Sequence, residues 1–249
     1  MRRLIALAVL STALAVASPA GAITFGVPDG GDHPNVGGLV ADEQYADGTW
    51  IYCSGTLISP TVFLTAAHCG EDGEQVAVTF DTAYEEGDRL YTGTFEADPL
   101  YNQSQSDPHD IAVVVLDQPV RGIEPALLPE ADSLSDLSGS QTFTSVGYGS
   151  YEVTKGHGPR EFLYDDVRMR ATGTLNSINP SWLRISMNPA TGNGGTCYGD
   201  SGGPNFLDDS DVIAAITITG DSVCRSTNVV YRLDTESARA FLSQYVALP

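Results

Sequence analysis

The sequence predicts an all-β fold in two halves, of barrel or sandwich type, closed by one C-terminal helix. Three observations predict it. Short β-branched and aromatic runs recur along the chain, separated by clusters of Gly, Pro, Asp and Asn. One stretch rich in Pro, Ser and acids, Asp117 to Gly139, interrupts them and reads as a connector between the halves. A helical period occurs only near the C-terminus.

The first segment stands outside this fold. Met1-Arg2-Arg3 is a basic head, Leu4 to Ala17 an apolar run of 14 residues, and Ala20-Gly21-Ala22 a small-x-small cleavage pattern. The competing reading is a membrane anchor, but a spanning helix needs about 20 apolar residues. Residues 1–22 therefore read as a signal peptide, and the exported chain starts at Ile23 with no second run long enough to span a bilayer.

In the first half, strands are expected at Thr56-Leu57-Ile58, Val62 to Thr65, Val76 to Phe80 and Ile111 to Leu116. In the second half they are expected at Thr142 to Val146, Val212 to Thr219 and Val229 to Tyr231. The helix rests on Ala238, Phe241, Leu242, Tyr245 and Val246, which make one apolar stripe. Asp234 or Thr235 can cap it, and its expected role is to lay that stripe on the second half.

Length and composition narrow the function. A chain of 249 residues can hold one large β domain or two small ones with a substantial core. The net charge of −20 becomes −22 once Arg2 and Arg3 are removed, and such a surface repels nucleic acid and anionic lipid. It reads as an acidic extracellular surface. Cys53, Cys69, Cys197 and Cys224 are an even set in an exported chain, which favours two disulfides, with three pairings open. A zinc site is disfavoured because no C-x-x-C pair occurs. Glu71, Asp72 and Glu74 make a calcium loop conceivable, but a solvated acidic loop is preferred. No metal and no cofactor is assigned.

The chemistry centres on Gly199-Asp200-Ser201-Gly202-Gly203-Pro204. A serine hydroxyl attacks poorly unless a base takes its proton, and glycines let backbone N–H groups converge on an oxyanion. A Gly-rich turn, or an α/β-hydrolase elbow, would share part of this pattern, but the elbow needs a parallel sheet that this chain does not suggest. Of four histidines, His33, His109 and His157 sit beside Pro, Asp or Gly and read as solvated loop residues. His68 follows a strand and precedes Cys69, where a disulfide would hold a base in position. Asp110 heads the most apolar strand of the first half and needs a partner there. Asp107, in a polar loop before Pro108, is its rival.

Thr65-Ala66-Ala67-His68-Cys69, Asp110-Ile111-Ala112 and Gly199 to Pro204 resemble the three signature blocks of the chymotrypsin/trypsin serine protease family, in that family's order, with gaps of 42 and 91 residues. The resemblance spans the exported chain. It implies two six-stranded antiparallel β-barrels, at about 23–125 and 126–233, followed by a helix at about 234–247. It implies a secreted monomeric endopeptidase acting on protein or peptide substrates, with His68, Asp110 and Ser201 as triad and the N–H groups of Gly199 and Ser201 as oxyanion hole. It also implies the pairings Cys53–Cys69 and Cys197–Cys224.

The same resemblance makes Asp200 the partner of a freed N-terminal amine. Here that amine would be Ile23, although Ile23-Thr24-Phe25-Gly26 matches the usual start only in its first apolar residue and its glycine. No Arg or Lys precedes Ile23, so export and activation would be one cleavage. For specificity, the pocket floor is expected at Gly195 and the walls near Gly220 and Val229, which favours an uncharged residue before the cut bond. Asp221 at the rim leaves a basic residue as the minority reading. The competing functions are a silent binding protein of the same fold and an esterase using the same triad.

Overall fold

The computed structural model describes residues 23–151 and 162–249. The segment expected to be a signal peptide and His157 lie outside the described residues. Among the described residues thirteen strands and one α-helix follow one another. β1 (Val27–Pro28) is a short arm. β2 (Val36–Val40), β3 (Ile51–Ser59), β4 (Val62–Thr65), β5 (Gln75–Thr79), β6 (Tyr91–Ala97) and β7 (Ala112–Leu116) close an antiparallel barrel in the order β2-β3-β4-β7-β6-β5. β8 (Thr142–Gly147), β9 (Met169–Ile178), β10 (Trp182–Ser186), β11 (Pro204–Leu207), β12 (Ile213–Gly220) and β13 (Thr227–Arg232) form the second, in the order β9-β10-β13-β12-β11-β8, and the β8–β9 ladder closes it. Closure leaves no unpaired strand edge on either barrel.

β1 pairs with β9, so this first strand packs on the second barrel rather than the first. Arg168 anchors this crossing. It is buried, its Nε lies 2.9 Å from Asp29, and its guanidinium also donates to the carbonyls of Gly30, Val36 and Phe80. Burial alone would raise the Asp29 carboxyl, but His33 and Arg168 together hold it below the usual range. Arg168→Met would leave that buried carboxylate short of its guanidinium partner. It should lower the stability read from a urea transition by about 3 kcal/mol, more than the Asp29→Ala, Arg168→Met double variant loses.

Helix α1 (Glu236–Leu242) is shorter than the apolar stripe suggests. Thr235 caps it by accepting from the Ala238 N–H. Tyr245 and Val246 pack against the core from the turn that follows. Ala238, Phe241 and Leu242 join the large cluster, which holds first-barrel residues such as Phe63, Phe95 and Ile111 together with second-half residues such as Ile213, Ile216 and Tyr231.

Candidate active site

Each barrel delivers one part of the site. β4 ends at Thr65, and the chain then makes a 3-10 turn over Ala67–Cys69. Cys69 is bonded to Cys53 on β3, with their Cα atoms 6.2 Å apart, which fixes the turn that carries His68. Asp110 precedes the fully buried Ile111 and is itself 2 % exposed. One of its carboxylate oxygens accepts from the His68 backbone N–H at 3.0 Å, and the other lies 2.8 Å from His68 Nδ1. A buried carboxylate engaged this way fixes the ring's position and assigns the proton to Nδ1, leaving Nε2 as the acceptor.

Asp107 is elsewhere. It accepts from Tyr231 and Ser237 hydroxyls at 3.0 and 2.7 Å, which ties its loop to β13 and α1. Two histidines read as solvated are in fact partly buried against carboxylates: His33 Nδ1 meets Asp29 at 2.5 Å and His109 Nδ1 meets Asp98 at 3.0 Å. Their Pro- and Asp-rich flanks suggested loops, but these loops fold back on the barrels.

Ser201 sits in a loop wedged between the halves. Its carbonyl accepts from the Ser54 N–H at 2.8 Å, and the Ser54 hydroxyl donates to the Gly199 carbonyl at 3.0 Å. The Cys69 sulfur lies 3.8 Å from the Ser201 carbonyl oxygen, so the serine abuts the disulfide beside His68. Gly199 and Gly202 have φ of +93° and +78°. The N–H groups of Gly199 and Ser201 donate to no acceptor among the described residues, as an oxyanion site requires. A Cβ at Gly202 would overlap Thr65 Oγ1 and the Ser54 carbonyl. Gly202→Ala should therefore destabilise by about 2–3 kcal/mol, seen as a lower urea midpoint.

Asp200 is fully buried and accepts from the N–H groups of Gly149 and Cys197, both at 2.8 Å. Burial pushes its carboxyl up to about 7 against those two donors. Ile23 is buried with Met169 and Ala171. The next residue, Thr24, exchanges backbone hydrogen bonds with Gly195 at 2.9 and 3.0 Å, five positions before Asp200. No Ile23 group is among the hydrogen-bond partners of Asp200.

A cavity of about 280 Å³ opens beside Ser201, lined by Thr196, Tyr198, Thr217, Ile218, Thr219 and Gly220 and by the Cys197–Cys224 disulfide. Gly220 lines it as expected from the sequence, but Gly195 and Val229 do not. A Cβ at Gly195 would run into Met187, and its backbone is taken up by Thr24. Val229 lines a neighbouring groove with Asp110, Trp182 and Ile218. The register of β12 against β13 slips at Ile218, so Thr217 faces Val230 and Thr219 faces Val229. A strict residue count fails at such a bulge. Asp221 lines this cavity as well. Burial would raise its carboxyl, but N–H groups of Thr227, Ser226 and Arg225 hold it low and tie it into its own loop.

The acids after His68 serve the loop: Glu74 accepts from the Glu71 N–H and Asp72 from the Ala97 N–H. The close trio Cys53, His68 and Cys69 offers no metal ligand set, because both sulfurs are in the disulfide. Among the described residues no helix is long and apolar enough to cross a membrane.

Two closed antiparallel barrels with a His–Asp pair and a glycine-bounded serine between them define the chymotrypsin-like class of fold. The family model described as Trypsin matches residues 31–240, and the chain belongs to that family. It is similar to human kallikrein-2 (28% identity over 70% of this chain and 72% of that protein) and to a chymotrypsin from Phaedon cochleariae (29% over 72% and 67%). It is also similar to glucanase inhibitor protein 1 of Phytophthora sojae, at 28% over 61% of this chain; the match spans 60% of that protein's length. The solved structure of HL collagenase superposes with a TM-score of 0.66 at 19% identity, covering 85% of this chain and 93% of that one, which shows the shared fold.

Proposed function

We propose that this protein is a secreted serine endopeptidase that cuts after an uncharged residue. The observation that carries the reading is the buried Asp110 clamping His68 by ring and backbone, in a turn whose disulfide touches the Ser201 loop. Ser201 Oγ attacks the scissile carbonyl while His68 Nε2 takes its proton. The N–H groups of Gly199 and Ser201 stabilise the oxyanion, and His68 returns the proton to the leaving amine. Water then hydrolyses the acyl-enzyme by the same route in reverse. The substrate side chain before the cut enters the cavity at Thr196 and Gly220, whose lining is mostly hydroxyl and aliphatic; its one carboxylate, Asp221, already accepts from the N–H groups of Arg225, Ser226 and Thr227. Two disulfides suit an exported chain that leaves residues 1–22 behind.

Similarity to a glucanase inhibitor favours a second reading, a binding protein of the same fold without catalysis. The test is a serine-directed fluorophosphonate followed by peptide mapping, alongside digestion of a mixed peptide library read by mass spectrometry. An endopeptidase should carry the adduct on Ser201 and cut the library after uncharged residues. A protein that takes up no label and cuts nothing would be the binding module. Cleavage of esters but not of any peptide would identify an esterase.

A further inference from the structure

Tyr198, which lines the Ser201 cavity, also lines a second groove of about 470 Å³ together with Tyr45, Tyr52, Tyr164 and Gly199. Tyr52 directly precedes Cys53, whose disulfide sits beside His68. A peptide that places its acyl side chain in the first cavity and its carbonyl oxygen at Gly199 must run its leaving half past this corner. Two recesses adjoin the groove. One, of about 400 Å³, shares Asp47 and Tyr164 with it and adds Glu85, Glu86 and Asp165. The other, of about 250 Å³, shares Tyr45 and Tyr52 and adds Asp42 and Glu74.

No Lys, Arg or His among the described residues lines any of the three. None of these carboxylates is in an ion pair among the described residues. The tyrosines register the resulting field. The hydroxyls of Tyr45, Tyr52 and Tyr164 are all pushed up, by burial first; Asp47 adds to the rise at Tyr45, Glu74 at Tyr52, and Asp47 at Tyr164 against a Ser150 hydrogen bond that lowers it.

Resting on the serine protease reading, we propose that this groove takes the leaving half of the substrate and selects an arginine or lysine there, within the first two residues after the cut bond. Aromatic faces attract a cation, and a guanidinium stacks on them while reaching carboxylates at their edges. The flanking carboxylates draw the same charge in and repel an acidic side chain. The Ser201 cavity and the tyrosine groove then read the two sides of one bond by different chemistry, an uncharged residue before it and a cation after it.

The experiment uses quenched fluorescent peptides with one fixed acyl half and Arg, Lys, Leu or Glu as the second residue after the scissile bond. A further peptide carries the Arg five residues beyond the bond. An anilide of the same acyl half, whose leaving group is too small to reach the groove, is the reference for wild type, Tyr52→Leu and Asp165→Asn. Arg and Lys should exceed Leu by about tenfold in kcat/KM, with Glu slowest, and the gain should shrink at high salt. Moving the Arg outward should remove most of the gain, and each variant should lower the Arg-to-Leu ratio by about threefold relative to its own anilide rate. Equal rates for Arg and Leu, an advantage independent of position, or a ratio untouched by both variants, with the anilide still hydrolysed, would overturn the proposal. A wild type that hydrolyses neither anilide nor peptide would instead remove the protease reading, and this proposal with it.

Discussion

Ser201→Ala should lower kcat by about 10⁶-fold on the best library peptide while leaving the urea midpoint nearly unchanged. The substitution removes one oxygen. The contacts that hold the loop run through the Ser201 backbone carbonyl and through Ser54, and they remain. Asp110→Asn should cost about 10⁴-fold for a different reason. An asparagine can accept with only one of its two side-chain atoms, whereas Asp110 accepts from both the His68 N–H and the ring. With the amide nitrogen facing the ring, the proton is driven to Nε2, and the base is lost. The double variant should be little worse than Ser201→Ala alone, because a base without a nucleophile contributes nothing. Stopped-flow or long-incubation rates on one peptide, with circular dichroism as the folding check, would decide. A Ser201→Ala protein retaining even a tenth of the wild-type rate would sink the assignment.

The parts of the fold that were legible in the sequence are those whose burial is continuous. Val62 to Thr65 is β4, and Ile111 to Leu116 holds all of β7, buried except at Val115. The longest strand, β9, was missed, because Met169 to Ile178 alternates buried side chains with Arg170, Thr172 and Asn176 and includes a glycine. β2 was missed because Gly37 and Gly38 carry no β signal. Their value lies in close approach, since a Cβ at either would meet Thr79 or Ile51. The candidate site divides the same way. His68, Asp110 and Ser201 announce themselves through short local motifs. The tyrosine groove is drawn from Tyr45, Tyr52, Tyr164 and Tyr198, which no spacing links, and it forms only where residues of the two halves meet. Of the expected pocket residues, Gly220 lines the cavity while Gly195 and Val229 do not, and the β12–β13 register between Thr217 and Thr219 shifts beside it.

A chain that begins at Ile23 should be active, and one that keeps even Ala22 ahead of it should lose about 10²–10³-fold in kcat/KM. The reason lies in Asp200. With no amine beside it, its carboxyl is pushed up to about 7 by burial, while in the unfolded chain it keeps the ordinary aspartate value near 3.8. Between those values the folded state binds the extra proton, so stability falls as pH rises from about 4 to about 7. The whole fall is on the order of 4 kcal/mol. A free Ile23 amine would reverse the sign. It pairs with the carboxylate, brings that pKa down and removes the penalty. The amine's own pKa rises in turn, and its support is lost only as pH climbs through that raised value. Breaking such a buried pair costs about 3–5 kcal/mol, which is where the estimated loss of activity comes from when it is spent on the loop holding Gly199 and Ser201. Urea midpoints of the two chains from pH 4 to pH 8 provide the measurement. The extended chain should weaken steadily toward neutrality while the Ile23 chain holds. Parallel curves would mean that Asp200 is satisfied by Gly149 and Cys197 alone, and that the N-terminus plays no part in setting the oxyanion loop.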